Sequence, residues 1–245
     1  LSLGGAKVKA VVEIMPYLAG LVRNKAQCLD DFNIPLMLSH TVVDITGIDR
    51  VESVTIAPVD ENRRPIMEKA ETISCDTLLL SVGLIPENEL TRSANVTLSG
   101  ITKGAVVNQY KQTDKPYIFA CGNVLHVHDL VDYVTEESKI AGKGAANYIF
   151  GKKQDGTFIN TKGVNGVRYI VPQRVNIKNE EGVKLYFRVG QVYKGAKVVV
   201  ECDGKILSSK KKVKLAPGEM ENVVIPADVL ATLNENSTIK VRVEE

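Results

Sequence analysis

The sequence has 245 residues, of which 44% are hydrophobic and 24% charged, a composition that is ordinary for a globular chain of one or two domains. Its 31 basic and 29 acidic residues give a net charge of +2, which is too balanced to indicate nucleic acid or an anionic membrane as a partner. No apolar run approaches the roughly 20 residues of a membrane span. The four cysteines form no C-x-x-C pair, so we expect a cytoplasmic protein with reduced thiols.

The first predicted element is a strand within residues 4–14 that ends at Glu13. In a dinucleotide-binding βαβ unit, an acid at the end of the second strand takes the ribose hydroxyls, whereas a nearby Arg accommodates a 2′-phosphate. No basic residue follows Glu13 before Arg23, which favours NAD over NADP. The alternative is an acid that simply ends a strand. The G-x-G-x-x-G turn should precede this strand by about 20 residues, so we expect the chain to begin inside a nicotinamide domain.

An amphipathic helix is predicted next, over residues 17–32, because apolar residues recur there at near-helical spacing. Short strands are then predicted at residues 35–39, 40–45, 51–58 and 66–74. The run 75–83 is continuously apolar after a polar start, which is typical of a strand buried on both faces.

The run from Thr113 to Tyr148 organises the rest of the chain. Pro116 sets an extended entry, residues 117–121 are apolar, and Gly122 ends them, which indicates a buried strand that enters a tight turn. A helix with a face of small residues should follow, with Asp129 as its N-cap. Strand, glycine turn and helix N-terminus together form a site suited to an anionic or polar cofactor.

The same run resembles the second flavin motif of the pyridine nucleotide-disulfide oxidoreductase superfamily, T-x-x-x-x-h-y-A-x-G-D, where h is apolar and y aromatic. The matching residues are Thr113, Ile118, Phe119, Ala120 and Gly122, with Asn123 in place of the final Asp. Together with His126, His128 and Asp129, the run is similar to the NAD(FAD)-dependent dehydrogenase branch. The alternative is any buried strand-turn-helix of an α/β protein.

The resemblance implies that FAD is held by Gly122 and Asn123 at its ribityl-pyrophosphate part. Asn123 can accept a hydrogen bond from a ribityl hydroxyl but brings no charge. The resemblance also implies that the next helix points its N-terminus, with Val131 and Asp132, at the isoalloxazine. In the same way, residues 75–83 are similar to the family's D-x-h-h-h-A-x-G crossover. Residues 1–90 are then part of an NAD(P)-binding domain, and 91–151 are the closing segment of an FAD-binding domain.

After Phe150 and Gly151 the composition changes, and a polar linker is predicted at 152–163. Beyond it, short alternating runs predict strands at 168–171, 174–177, 183–189, 197–202, 205–208, 211–215, 223–225 and 239–243. Asp203-Gly204 is a strong hairpin signal, and 228–233 should form one helical turn. Residues 164–245 therefore predict a β-sandwich of immunoglobulin-like character. The expected fold class is α/β, with partial Rossmann-like FAD/NAD(P)-binding domains, followed by this all-β sandwich.

His126 and His128 are the only imidazoles close together in sequence. Both could face the flavin rim, and His128 is the candidate catalytic residue because an imidazole can move a proton near neutral pH. No metal is expected, since a tetrahedral site wants three or four ligands and the sequence shows no third one beside the pair.

These patterns predict part of an FAD-dependent oxidoreductase that passes hydride between NAD(P)(H) and flavin. We expect the chain alone to be inactive and to bind FAD and NAD(H) weakly or not at all, because half of each dinucleotide site is missing. The alternative is a non-catalytic module whose β-sandwich docks a partner dehydrogenase subunit, since that tail carries no catalytic constellation. Exposed sheet edges could also pair between two copies in a homodimer.

Overall fold

The computed structural model describes residues 1–18, 20, 22–81, 83–152 and 156–245, without the side chain of Val22. The chain divides into two compact units, Leu1–Gly83 and Leu84–Glu245, and each is described by itself. Within the described ranges, none of the helices combines the length and apolar composition that a membrane crossing requires.

The first unit contains a two-stranded parallel sheet and a three-stranded antiparallel sheet. The strands are β1 (Val11–Glu13), β2 (Leu36–Leu38), β3 (His40–Thr46), β4 (Ser53–Pro58) and β5 (Glu71–Ser74). The helical segments are a 3-10 turn (Ser2–Gly4), α1 (Val22–Asn24), a π-helical stretch (Lys25–Asp30) and a second 3-10 turn (Met67–Lys69). The helix predicted over residues 17–32 is therefore shorter than expected, and Leu21, one of its apolar positions, lies outside the described residues.

The strand predicted at residues 75–83 is wrong for the part of that run that the structure describes. β5 ends at Ser74, and the side chains of Leu79 and Leu80 are 65% and 72% exposed. Val82 lies outside the described residues. A parallel strand is stable when neighbouring strands satisfy its backbone and helices cover its faces. The parallel sheet here has two strands, β1 and β2, so it offers residues 75–81 little to pair with.

The second unit begins with irregular chain between short helices. The helical segments before its β-strands are α2 (Glu89–Ser93), a 3-10 turn (Gly122–Val124) and α3 (Val131–Ile149). The strand expected at 117–121 forms single bridges instead: Phe119 pairs with Gln112, and the Ala120 N–H donates to the Lys111 carbonyl at 2.9 Å. These local bonds satisfy the backbone where a regular sheet is lacking.

Helix α3 packs through one face. Its buried residues are Glu137, Ala141 and Gly144, at spacings of four and three along the helix. A Cβ at Gly144 would lie 2.6 Å from the Tyr110 carbonyl oxygen, so glycine permits this close approach. The predicted N-cap was wrong, because the helix is preceded by Leu130, which makes no side-chain capping bond.

The rest of the second unit is a two-layer β-sandwich. Its strands are β6 (Phe158–Gly163), β7 (Val167–Val171), β8 (Arg174–Asn176), β9 (Val183–Val189), β10 (Tyr193–Cys202), β11 (Lys205–Leu215), β12 (Glu221–Ile225) and β13 (Thr238–Glu244), with α4 (Ala227–Leu230) before the last strand. The sheets have the orders β11-β10-β13-β6-β8 and β12-β9-β7. Their inner residues form one core that includes Leu185, Val200 and Ile239. The predicted class, α/β segments followed by an all-β sandwich, is confirmed.

Two details of the sandwich differ from the expectation. Strand β6 lies inside the range 152–163 that was expected to be a linker, and it pairs in parallel with β13. Residues 153–155 of that range lie outside the described part of the chain. Strand β11 is continuous where two strands were expected, because it pairs with β10 over nearly all of its length.

Candidate functional site

The Gly122 turn has the backbone that the sequence indicated. Gly122 has φ +72°, a left-handed conformation that favours glycine. A Cβ there would lie 3.3 Å from Val134 Cγ1. Asn123 is exposed, and its Oδ1 accepts a hydrogen bond from the His128 backbone N–H at 3.1 Å. The turn thus presents an exposed amide side chain whose orientation is fixed by the backbone five residues later.

The N-terminus of α3 follows this turn after residues 125–130. Val131 and Asp132 occupy its first turn, and both are exposed. Because Leu130 provides no side-chain cap, the first N–H groups of the 19-residue helix have no side-chain capping acceptor. Helix N-termini attract polar and anionic groups, so this end of α3 suits such a ligand.

Behind the turn lies a buried cluster of ionisable side chains, formed by Lys111, His126, His128 and Glu137. Glu137 Oε1 accepts hydrogen bonds from Lys111 Nζ at 2.8 Å and from His126 Nε2 at 3.0 Å. Its Oε2 accepts from the Gly122 backbone N–H at 2.7 Å and from His128 Nε2 at 3.0 Å. The side chains are almost fully buried, with exposed fractions between 0% and 2%.

The electrostatics of this cluster are set by one carboxylate and one ammonium. Burial by itself would raise the pKa of Glu137, but hydrogen bonds from His126 and His128 and the charge of Lys111 outweigh it and hold that pKa well below its usual value. Burial lowers the pKa of His126, although Glu137 opposes the shift. Glu137 therefore stays ionised beside Lys111, and the lowered pKa of His126 favours the neutral form of its imidazole.

A neutral imidazole that donates through Nε2, as that of His126 does to the Glu137 carboxylate, carries its lone pair on Nδ1. The Nδ1 atoms of His126 and His128 are buried without a hydrogen-bond partner. The two rings lie 4.3 Å apart between centroids, and Tyr186 packs edge-on against both, at 6.0 and 5.9 Å. The imidazoles thus combine a hydrogen-bonded edge toward Glu137 with aromatic packing.

The cluster also has the composition of a metal site. One ligand atom from each of His126, His128 and Glu137 lies within 4.8 Å of the others, so Glu137 is a third candidate ligand that the sequence interpretation missed. The available signal was a charged residue on the small, buried face of α3. However, Lys111 and the Gly122 N–H already occupy lone pairs of this carboxylate. The expectation of no metal stays a prediction.

The remaining predicted site residues lie in different places. His128 is buried against Glu137, so its imidazole does not lie at the exposed turn. Glu13 belongs to the first unit, at the end of parallel strand β1, and its Oε1 accepts a hydrogen bond from the Met15 N–H at 3.0 Å. An acid at the end of a parallel strand is the arrangement that the sequence indicated.

Comparison with known proteins shows which protein family this sequence matches. A family model described as "Pyridine nucleotide-disulphide oxidoreductase" matches residues 8–145, which is more than half of the chain. Hydrogen cyanide synthase subunit HcnB of Pseudomonas aeruginosa is 29% identical over 116 residues, which are 46% of this chain and 24% of that protein. Nitrite reductase [NAD(P)H] of Bacillus subtilis is 24% identical over 200 residues, covering 76% of this chain and 23% of that protein.

The chain spans about a quarter of the length of these two curated relatives. Among solved structures, thioredoxin reductase from Giardia duodenalis matches with a TM-score of 0.37 and 15% sequence identity, covering 61% of this chain and 48% of that one.

Proposed function

Because this chain belongs to the pyridine nucleotide-disulphide oxidoreductase family, we propose that it contributes to hydride transfer between NAD(P)(H) and a bound FAD. The family uses FAD and NAD(P) as cofactors. FAD supplies the hydride acceptor, and the protein supplies binding and orientation. The curated relatives are much longer than this chain, so we assign it part of a reductase site rather than a complete reaction.

The observation that carries this proposal is the Gly122–Asn123 turn, which precedes a long helix, α3, that has no side-chain cap at its N-terminus. Gly122 gives the turn its left-handed backbone, and Asn123 offers an exposed amide side chain to a ribityl hydroxyl. Val131 and Asp132 lie in the first turn of this helix, which supports a contact with the flavin. These residues fit a polar dinucleotide, and we propose that they hold its ribityl-pyrophosphate part and its ring.

In the first unit, we propose that Glu13 binds the adenosine ribose of the nicotinamide cofactor. Its place at the end of a parallel strand supports this role, and the lack of a basic residue between Glu13 and Arg23 supports NAD over NADP. The catalytic role of the His128 imidazole stays a prediction. Its hydrogen bond to Glu137 supports a role in holding the turn, together with the bond from its backbone N–H to Asn123.

We further propose that the protein is cytoplasmic. We also propose that the chain is inactive alone, since no G-x-G-x-x-G motif occurs in its sequence. The docking of a partner dehydrogenase on the sandwich and pairing of two copies stay predictions. One observation limits the docking surface: Lys184, Tyr186 and Arg188 of β9 already bond to residues before and within α3.

The test is to titrate the full chain with FAD and to monitor the backbone amide signals by NMR, a method that detects weak binding. We expect shifts confined to residues 122–132. Asn123→Ala should weaken the binding roughly tenfold, because a hydrogen-bond acceptor is lost. Asn123→Asp should strengthen it, and Asn147→Ala, at the opposite end of α3, should leave it unchanged. We propose that the chain alone keeps weak FAD binding, so spectra that do not change at millimolar FAD would refute the flavin site.

A further inference from the structure

Strand β9 of the sandwich has two faces with different partners. Val183, Leu185, Phe187 and Val189 point into the sandwich core and are at most 4% exposed. The intervening residues Lys184, Tyr186 and Arg188 therefore share the opposite face, because side chains alternate along a strand. All three bond to the segment 127–136, which contains the first turn of α3.

Arg188 makes the most elaborate of these contacts. Its Nη2 donates to the Val127 carbonyl at 3.0 Å and to Asp129 Oδ1 at 3.4 Å, while Nη1 donates to the Pro217 carbonyl at 3.1 Å. Asp129 Oδ2 in turn accepts from the Met220 N–H at 3.1 Å. The side chains of Arg188 and Asp129 are 15% and 13% exposed, so water weakens this ion pair less than a surface pair.

Glu136 is the second point of attachment, one turn into the helix. Its Oε2 accepts from the Tyr186 hydroxyl at 2.6 Å and from Lys184 Nζ at 2.7 Å. The Tyr186 ring lies 5.5 Å from that of Tyr133 and also packs against His128. The sandwich thus bonds to the start of α3 at two points along the chain, at residues 127–129 just before the helix and at residue 136 within it.

We infer that β9 positions the helix end that meets the flavin, with Arg188 as the principal positioning residue. The inference rests on the proposed function, since it assigns the flavin to this end of α3. No side chain caps the N-terminus of α3. The Arg188 guanidinium instead connects the segment just before the helix to the sandwich. The sandwich then contributes to the cofactor site by positioning the N-terminal end of α3.

Arg188→Lys tests this inference, with Arg242→Lys as the matched control. Arg242, on β13, bonds Glu201 at 2.9 Å and also Glu244, and its side chain is 20% exposed. Lysine keeps the charge at both positions but loses the planar fork of donors. Hydrogen exchange of the free protein reports the local opening of residues 127–135. Arg188→Lys should speed that exchange roughly tenfold, and Arg242→Lys should not.

The FAD titration then tests whether this positioning affects flavin binding. If the wild-type chain binds FAD, Arg188→Lys should weaken binding roughly tenfold, and Arg242→Lys should not change it. Equal exchange of residues 127–135 in the two variants would overturn the inference, as would faster exchange with unchanged FAD affinity. A wild type that binds no FAD refutes the proposed function, and the exchange comparison then decides the positioning alone. Should Arg188→Lys fail to fold, Tyr186→Phe replaces it, with Tyr193→Phe as control.

Discussion

Glu137 accepts a hydrogen bond from the backbone N–H of Gly122 at 2.7 Å, across 15 positions of sequence. The bond ties the middle of α3 to the turn that precedes it. The same carboxylate accepts from Lys111, His126 and His128, so the position of the turn depends on one buried acid. Several measurable properties should follow from this arrangement.

Glu137→Gln should be severely destabilising. The change removes the only carboxylate bonded to Lys111 within the described cluster and leaves a buried ammonium unpaired. Breaking a buried pair in this way costs about 3–5 kcal/mol. The free energy of unfolding in urea at pH 7 measures the effect. Glu136→Gln, at the preceding residue of the same helix, is the control and should cost about 1 kcal/mol or less, since its partner Lys184 is partly exposed. Equal losses for both variants would contradict the role of burial.

Stability should decline as the pH falls below about 6.5, the usual pKa of histidine. The pKa of His126 is lowered in the native protein by burial, so the unfolded chain binds a proton at this residue at a higher pH than the native chain does. Its contribution is therefore complete above that pH and is lost on acidification, by at most about 1.4 kcal/mol per pH unit. Urea unfolding between pH 5.5 and 7.5 measures the slope.

His126→Gln provides the comparison for this slope. The glutamine amide can still donate to Glu137 but does not titrate. We expect a flatter pH dependence for this variant than for the wild type in the same urea series. A slope unchanged by His126→Gln would show that another group is responsible.

Gly122→Ala should destabilise the protein by about 1–2 kcal/mol, because φ of +72° strains any residue with a Cβ. The added methyl would also meet Val134 Cγ1 at 3.3 Å. Gly142→Ala, on the exposed side of α3, is the matched change, since its Cβ meets nothing within 4 Å. It should stabilise the helix by about 0.5–1 kcal/mol. If both variants changed the free energy of unfolding in the same direction, the positive φ of Gly122 would not explain the effect.

Gly204→Ala should cost about 1 kcal/mol in the same measurement. Asp203 and Gly204 join β10 to β11 with φ of +50° and +79°, the left-handed pair that a two-residue hairpin turn requires. Gly100→Ala, at a turn with open space around its Cα, should change stability by less than about 0.5 kcal/mol. A neutral Gly204→Ala would mean that the turn tolerates a different backbone.

Much of the architecture is determined by short stretches of sequence, and for those parts the sequence was sufficient to predict the structure. The alternation of residues 183–189 predicted β9 to the residue, and Asp203-Gly204 predicted the hairpin. The left-handed Gly122 turn followed by a long helix was also predictable, as was Glu13 at a strand end. In each case the signal is a short-range property of the chain: side-chain alternation, or a φ angle that glycine adopts without strain.

Other features depend on partners distant in sequence, and only the tertiary structure decided them. The apolar run at 75–81 forms no strand, because an apolar pattern cannot report whether a neighbouring strand is there to pair with. Asp129 was expected to cap α3, but Arg188, 59 residues later, binds it. Glu137 joins two histidines and Lys111 at separations of 9 to 26 residues. A carboxylate is exposed or buried according to what packs over it, and that is settled when the sandwich and helix meet.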